Sequence, residues 1–137
     1  MDSGAFFFIM TVTIGKKGYL SAREINALHQ QGHTIGSHTW DHPRIQGEDS
    51  LPDANRQLRQ SKATLEKITG APVTCLAYPF GSWNEATVSQ LQKAGFHLAF
   101  QLSSRRASRL PQYTIRRIMV DGRWQGQRLL AAIRQSF

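Results

Sequence analysis

Two imidazoles four residues apart, His38 and His42 in Ser37-His38-Thr39-Trp40-Asp41-His42-Pro43, are the side chains of this sequence best suited to chemistry. Neutral imidazole ligates zinc and other first-row divalent ions, including cobalt, nickel and iron. Sharing one ion depends on the backbone between them. On a continuing strand, positions i and i+4 share a face but lie roughly 13 Å apart. In one helical turn they come within about 6 Å. The apolar segment 33–37 reads as a strand that runs straight into His38, so a shared ion needs the strand to end near Ser37 and the chain to turn at once. Pro43 disfavours helical geometry at His42 and keeps that turn short. The plainer alternative is that both rings cap the turn and bond locally.

A catalytic zinc site takes three protein ligands and keeps one position open for water. A carboxylate is a natural third ligand. Asp41 is adjacent, but one turn of helix points it elsewhere; Asp2, Glu48, Asp49 and Asp121 are the other sources. A second unusual loop is Tyr78-Pro79-Phe80-Gly81-Ser82-Trp83-Asn84. It joins a stiff proline, an apolar ring and a glycine that lets a ligand approach the backbone. An amide at Phe80 or Gly81 is placed to stabilise an oxyanion. Trp40 and Trp83 are candidates for stacking on a sugar ring, or for ordinary packing. His29 and His33, also four apart, flank a helix end and read as surface residues. His97 reads as a core or edge histidine of a strand.

The elements that must position these loops follow a recurring unit: helix, stopping glycine, short apolar run. The first helix opens at Ser21 with Glu24 three residues on, a capping-box signature, and carries Ala22, Ile25 and Leu28 on one stripe. Gly32 ends it. The second starts near Ser50 or Asp53, runs through Leu58, Leu65 and Ile68, and stops at Gly70 before Val73–Tyr78. The third is capped by Ser82 or Asn84, carries Val88 and Leu91, and stops at Gly95 before Phe96–Phe100. Strands are also expected at Ala5–Met10 and Thr114–Val120, a loop at 101–112, and a last helix around Leu129, Leu130 and Ile133. Alternation of strand and helix implies a parallel sheet with crossover helices, an α/β architecture, in which ligand sites gather at the carboxyl ends of strands. Both unusual loops fall there. Five strands are too few for a closed barrel, which usually needs eight strands and more than about 200 residues. An uncovered parallel edge invites pairing, so a second copy covering that edge is the expected partner.

Size and composition fit one domain over residues 1–137, with a real core. The single cysteine, Cys75, sits in an apolar run and reads as a buried, inert thiol. The apolar stretch from Phe6 to Ile14 is too short to span a bilayer and lacks the marks of a signal peptide. The net charge of +8 is uneven: residues 1–100 hold nine Lys/Arg against eight Asp/Glu, and residues 101–137 hold eight Arg against Asp121 alone. This arginine-rich tail reads as a solvated face or as a surface for an anionic partner. No aromatic ladder or nucleic-acid motif accompanies it, which argues against nucleic acid as a partner.

With these motifs in place, the sequence resembles the polysaccharide deacetylase family (the NodB-homology domain, carbohydrate esterase family 4). Gly32-His33-Thr34-Ile35-Gly36-Ser37-His38-Thr39-Trp40-Asp41-His42-Pro43 is similar to the metal-binding motif G-H-E-I-G-S-H-[ST]-x-x-H-P. Ala5-Phe6-Phe7-Phe8 resembles the A-T-F-F strand, Ala77-Tyr78-Pro79-Phe80-Gly81 an A-Y-P-[YF]-G variant of the R-x-P-Y-G motif, and Ile115-Arg116-Arg117-Ile118 the L-P-R-I strand. The resemblance implies an incomplete (β/α) barrel of parallel strands, lacking the family's first strand. It also implies metal-dependent removal of acetyl groups from an acetylated amino-sugar polymer, and a family often found outside the cytoplasm. His38 and His42 would hold a divalent metal, zinc before cobalt, nickel or iron. The Phe80 amide would bind the oxyanion. Tyr78, Pro79, Phe80, Gly81, Trp83 and Trp40 would line the substrate pocket. Three departures stand out. The first-motif T-F-D-D-G, source of the base and third ligand, has no counterpart, since no Asp-Asp pair occurs in the sequence. Ala77 stands where the family has an arginine. No histidine follows His97, so the late histidine used as general acid is missing. The expectation is a weak or inactive deacetylase; the alternative is a non-catalytic glycan-binding or assembly module whose arginines meet an anionic partner.

Overall fold

The computed structural model describes residues 4–44 and 51–136. Five strands, β1 (Phe6–Ile9), β2 (Thr34–Ser37), β3 (Cys75–Ala77), β4 (Leu98–Gln101) and β5 (Ile115–Arg116), form one parallel sheet in the order of the sequence. The order never reverses. A sheet built this way keeps its helices on one face and curls in one direction, so it is an arc of a barrel and not a doubly wound sheet. Among the described residues β1 pairs only with β2, leaving its other edge free.

The crossover helices are α1 (Ala22–Gln30), α2 (Ser61–Thr69) and α3 (Glu85–Lys93), with α4 (Gly126–Ser136) following β5. Their starts follow the sequence signals. Ser21 and Glu24 make a reciprocal capping box, and Asn84, not Ser82, caps α3 by accepting the Thr87 amide at 2.8 Å. The second helix is entered at Asp53, whose Oδ1 accepts the Arg56 amide at 3.3 Å. It is π-helical over Asn55–Gln60 before becoming α2. The other candidate start, Ser50, lies outside the described residues.

Alternation along the strands sorts two layers. Ile9, Ile35, Leu76 and Ala99 point to the helices and join Ile25, Leu58, Leu65, Val88 and Leu91 in the main core. Phe6, Phe8, Gly36, Cys75, Ala77 and Phe100 point to the inner, concave face. There Phe8 and Phe100 meet at 5.3 Å, and Phe6 packs on both. Gly36 is required at its position: a Cβ would sit 2.7 Å from the Phe8 ring and 2.8 Å from Cys75 Sγ. Cys75 is 1% exposed, and burial pushes its thiol up to about 11.

The strands are shorter than their apolar runs. The expected strand Thr114–Val120 is confined to Ile115–Arg116, because β4 ends at Gln101 and the Arg117 amide makes the last bond to it, 2.9 Å to the Gln101 carbonyl. The fully buried Gln101 then bonds the carbonyls of Ser103, Arg105 and Thr114, tying down the segment expected to be a loop. His97 lies just before β4 and is exposed, because strand pairing begins at Leu98.

Candidate metal and oxyanion site at the carboxyl rim

The strand β2 ends at Ser37, and the chain turns immediately, as a shared ion requires. The turn is not helical. Thr39 (φ 65°) and His42 (φ 63°) both take the left-handed conformation, and the helical turn expected from the spacing is replaced by these two reversals. Pro43 disfavours α geometry at His42 and is compatible with this one only because other bonds over-determine it. Thr39, 1% exposed, donates its hydroxyl to the His38 carbonyl at 2.6 Å and accepts the His42 amide at 3.1 Å. Ser37 Oγ accepts the Thr39 amide at 3.2 Å and meets Ser61 Oγ of α2 at 2.9 Å. From the π-helical turn, the buried Gln57 accepts the Trp40 amide at 3.1 Å and donates to Asp41 Oδ1 at 2.7 Å.

This scaffold brings His38 and His42 together. Their ring centroids are 4.6 Å apart and their Nε2 atoms 3.0 Å apart. His38 Nδ1 lies 2.7 Å from the Ala77 carbonyl, which can only accept. His38 is therefore the Nδ1–H tautomer, and its Nε2 lone pair faces His42. Burial is the first cause that lowers the pKa of both rings, and the Arg117 charge adds to it, so both are neutral near pH 7. Neutral rings with nitrogens 3.0 Å apart suit either a hydrogen bond or a shared cation; two imidazoles on one first-row ion keep roughly 2.9–3.4 Å between donors. The pair fits two ligands of a divalent ion.

Among the described residues no third His, Cys, Asp or Glu joins the pair. Asp41 is held by Gln57, and Asp121 pairs with Arg123 at 2.6 Å. Asp2, Glu48 and Asp49 lie outside the described residues.

The second loop arrives beside the first. The Phe80 ring packs on His42 with centroids 4.5 Å apart. Phe80 (φ 56°) and Gly81 (φ 66°) are consecutive left-handed residues. At Gly81 a Cβ would lie 2.6 Å from Leu102 Cβ and 2.8 Å from its backbone nitrogen, so only glycine fits. The Gly81 amide is spent on the Tyr78 carbonyl at 3.0 Å and the Ser82 amide on Pro79. The Phe80 amide has no acceptor among the described residues, which singles it out from the two candidates for an oxyanion donor.

The remaining candidates are placed differently. Tyr78 is 1% exposed and packs in the helix-side core, so only its backbone reaches the site. Pro79 is buried beneath the loop. Trp83 is 8% exposed and covered by Arg105 at 4.5 Å. Trp40 is half-buried with Arg56 5.3 Å from its ring centroid. Two neighbours were not read from the sequence as site residues. Arg44 lies over the Phe80 ring at 3.9 Å, and Arg117 bonds the Tyr78 carbonyl at 3.4 Å. Nothing local signals Arg44, whereas Arg117 stands in the Ile115–Ile118 segment that resembles L-P-R-I. The other tail arginines disperse: Arg116 to the Ser136 carbonyl, Arg123 to Asp121, Arg128 over Trp124.

The arc thus carries two converging histidines and an amide without a described acceptor at its carboxyl rim. The polysaccharide deacetylase family model matches residues 2–99, and the chain belongs to that family. Polysaccharide deacetylases are in general metal-dependent. YxkH of Bacillus subtilis is 27% identical over 118 residues, covering 85% of this chain and 42% of YxkH. The peptidoglycan-N-acetylglucosamine deacetylase PgdA of Listeria monocytogenes is 29% identical over 87 residues, 64% of this chain and 18% of PgdA. BC0361, a polysaccharide deacetylase from Bacillus cereus, shares the fold with TM-score 0.82 at 22% identity, covering 97% of this chain and 42% of that one. The chain thus spans less than half the length of these relatives. No described helix is long and apolar enough to cross a membrane.

Proposed function

We propose that this chain carries the metal-binding and oxyanion portions of a deacetylase acting on an acetylated amino-sugar polymer. His38 and His42 hold a divalent ion, zinc first, through their Nε2 atoms. When bound, that ion supplies Lewis-acid polarisation of the acyl carbonyl and a water acidic enough to attack it. The Ala77 carbonyl holds the His38 tautomer. The Phe80 amide donates to the oxygen that becomes negative, and the Phe80 ring and Gly81 border the acyl pocket. The observation that carries this reading is the 3.0 Å convergence of the two Nε2 atoms next to the unspent Phe80 amide.

The 137 residues contain no Asp-Asp pair, and Ala77 stands at the family's arginine position. With neither base nor third ligand joining the histidines among the described residues, we expect these residues by themselves to turn over slowly or not at all. The test is acetate release from an acetylated chito-oligosaccharide with added zinc or cobalt. Background-level release is expected. Fast release abolished by His38→Ala would show that the residues present suffice. Glycan binding by the same chain that ignores chelator would favour a non-catalytic module instead. A second copy along the free edge of β1 belongs to the same proposal; a strictly monomeric mass by light scattering removes it.

A further inference from the structure

The two candidate ligands are oriented by different means. His38 is held by a hydrogen bond, from Nδ1 to the Ala77 carbonyl at 2.7 Å. His42 is held by ring packing: the Phe80 ring meets it edge to face, with centroids 4.5 Å apart and planes inclined by 63°. Phe80 is itself an awkward support. It is 50% exposed, so burial in the core does little to fix it. It also stands at the third position of a turn closed by the Gly81 amide on the Tyr78 carbonyl, with φ 56°, where glycine or asparagine is the ordinary choice. A strained, half-exposed residue keeps one conformation only where its neighbours over-determine it.

Arg44 supplies a second hold. Its guanidinium carbon lies 3.9 Å from the Phe80 ring centroid, the closest cation–ring contact among the described residues. Arg44 follows His42 by two residues. One short stretch of the histidine loop therefore touches the Phe80 ring twice, once with a candidate ligand and once with a cation. The contact does not depend on what else Arg44 meets: a guanidinium stacks by its face and can pair with an acid through the N–H fork at its edge.

We propose that Arg44 is a positioning residue for the histidine pair. It pins the Phe80 ring, and through that ring it fixes the orientation of the His42 imidazole. For its effect on a metal this role rests on the reading of His42 as a ligand. The sign of the effect separates positioning from charge. A cation near a metal site repels the metal, so deleting Arg44 should tighten zinc binding if charge alone acts. If Arg44 acts through Phe80, deleting it loosens the ring, and zinc binding weakens because the freedom His42 gains must be given up when the ion binds.

The test is a zinc competition titration on the 137-residue chain, with the NMR shifts of the His42 ring protons, recorded in chelator, as a metal-free readout. Thermal melts report that each variant folds. Arg44→Ala should weaken zinc binding about fivefold. It should also move the His42 ring protons towards their positions in Phe80→Ala, where the ring current is lost. Arg44→Met keeps a side chain that packs on rings and removes the charge; it should bind zinc no more than about twofold weaker than the wild type. In the Phe80→Ala background, Arg44→Ala should weaken binding no further. Arg128→Ala, which removes a similar stack on Trp124, should change neither readout. Tighter or unchanged zinc binding in Arg44→Ala overturns the proposal. So does a loss in Arg44→Met or Arg128→Ala as large as in Arg44→Ala, a loss that persists without the Phe80 ring, or ring-proton shifts that stay fixed. If His42→Ala binds zinc as the wild type does, the ligand reading falls and the ring-proton shifts decide the role of Arg44. If His42→Ala loses zinc while Arg44→Ala keeps it, the ligand reading stands and Arg44 has no positioning role.

Discussion

The two rims of the sheet turn the chain by different means. At the amino rim each helix returns to a strand through a left-handed glycine: Gly32 (φ 87°), Gly70 (φ 70°) and Gly95 (φ 81°). Glycine adopts that geometry at no steric cost, and Gly32 and Gly70 face open space. At the carboxyl rim three residues other than glycine, Thr39, His42 and Phe80, take the left-handed conformation. Each costs about 1–2 kcal/mol for an L-residue. Hydrogen bonds from Gln57, Ser37 and Thr39 offset that strain and hold the two rings edge to face. The difference teaches where this molecule spends stability on geometry: the inexpensive rim only connects, and the strained rim carries the donors.

The contrast is broken most sharply at the rings. His38→Ala or His42→Ala should weaken zinc binding by a hundredfold or more, about 3 kcal/mol, in a competition titration with a chromogenic chelator. Unchanged affinity would show that the rings are not ligands. Next comes a pair of glycines. Gly81→Ala adds a clash with Leu102 to a left-handed φ and should cost about 3 kcal/mol or more in urea unfolding. Gly32→Ala, with open space around it, should cost about 1–2 kcal/mol. Equal costs would erase the distinction between the rims. Gln57→Ala removes the shared acceptor of the Trp40 and Asp41 amides and the donor to Asp41. It should destabilise by about 1–3 kcal/mol and lower zinc affinity roughly tenfold. Affinity that stays at the wild-type value would mean the loop keeps its shape without this brace.

The smallest effect concerns Cys75 on the inner face. Its raised pKa favours the neutral thiol, so native alkylation at pH 8 should be slow and accelerate only as pH nears about 11. The sign for stability follows. A group whose folded pKa lies above its ordinary value of 9.0 contributes stability below that value and loses it as pH climbs towards about 11. Fast alkylation of the folded protein at pH 8 would contradict the burial.

Local signals were legible in the sequence. The Ser21–Glu24 capping box, the Asn84 cap and the glycine stops involve residues within four positions of each other, and each stands where the pattern puts it. The pairing of the two loops was legible through strand–helix alternation, which sends both to the same rim. What was hidden is long-range. The Gln57 brace acts across 16 residues to Asp41 and 17 to Trp40, and both the His38–Ala77 bond and the Arg117–Tyr78 bond span 39. No periodicity encodes such partners. The run 114–120 reads as strand throughout, yet only a neighbour can make it one, and β4 ends too early.

The bond from His38 to Ala77 uses a peptide oxygen, not a side chain. Replacing residue 77 therefore leaves that acceptor in place, so drift at this position, even to alanine, cannot by itself release the ring. The tautomer follows from the backbone architecture, whatever side chain stands at position 77.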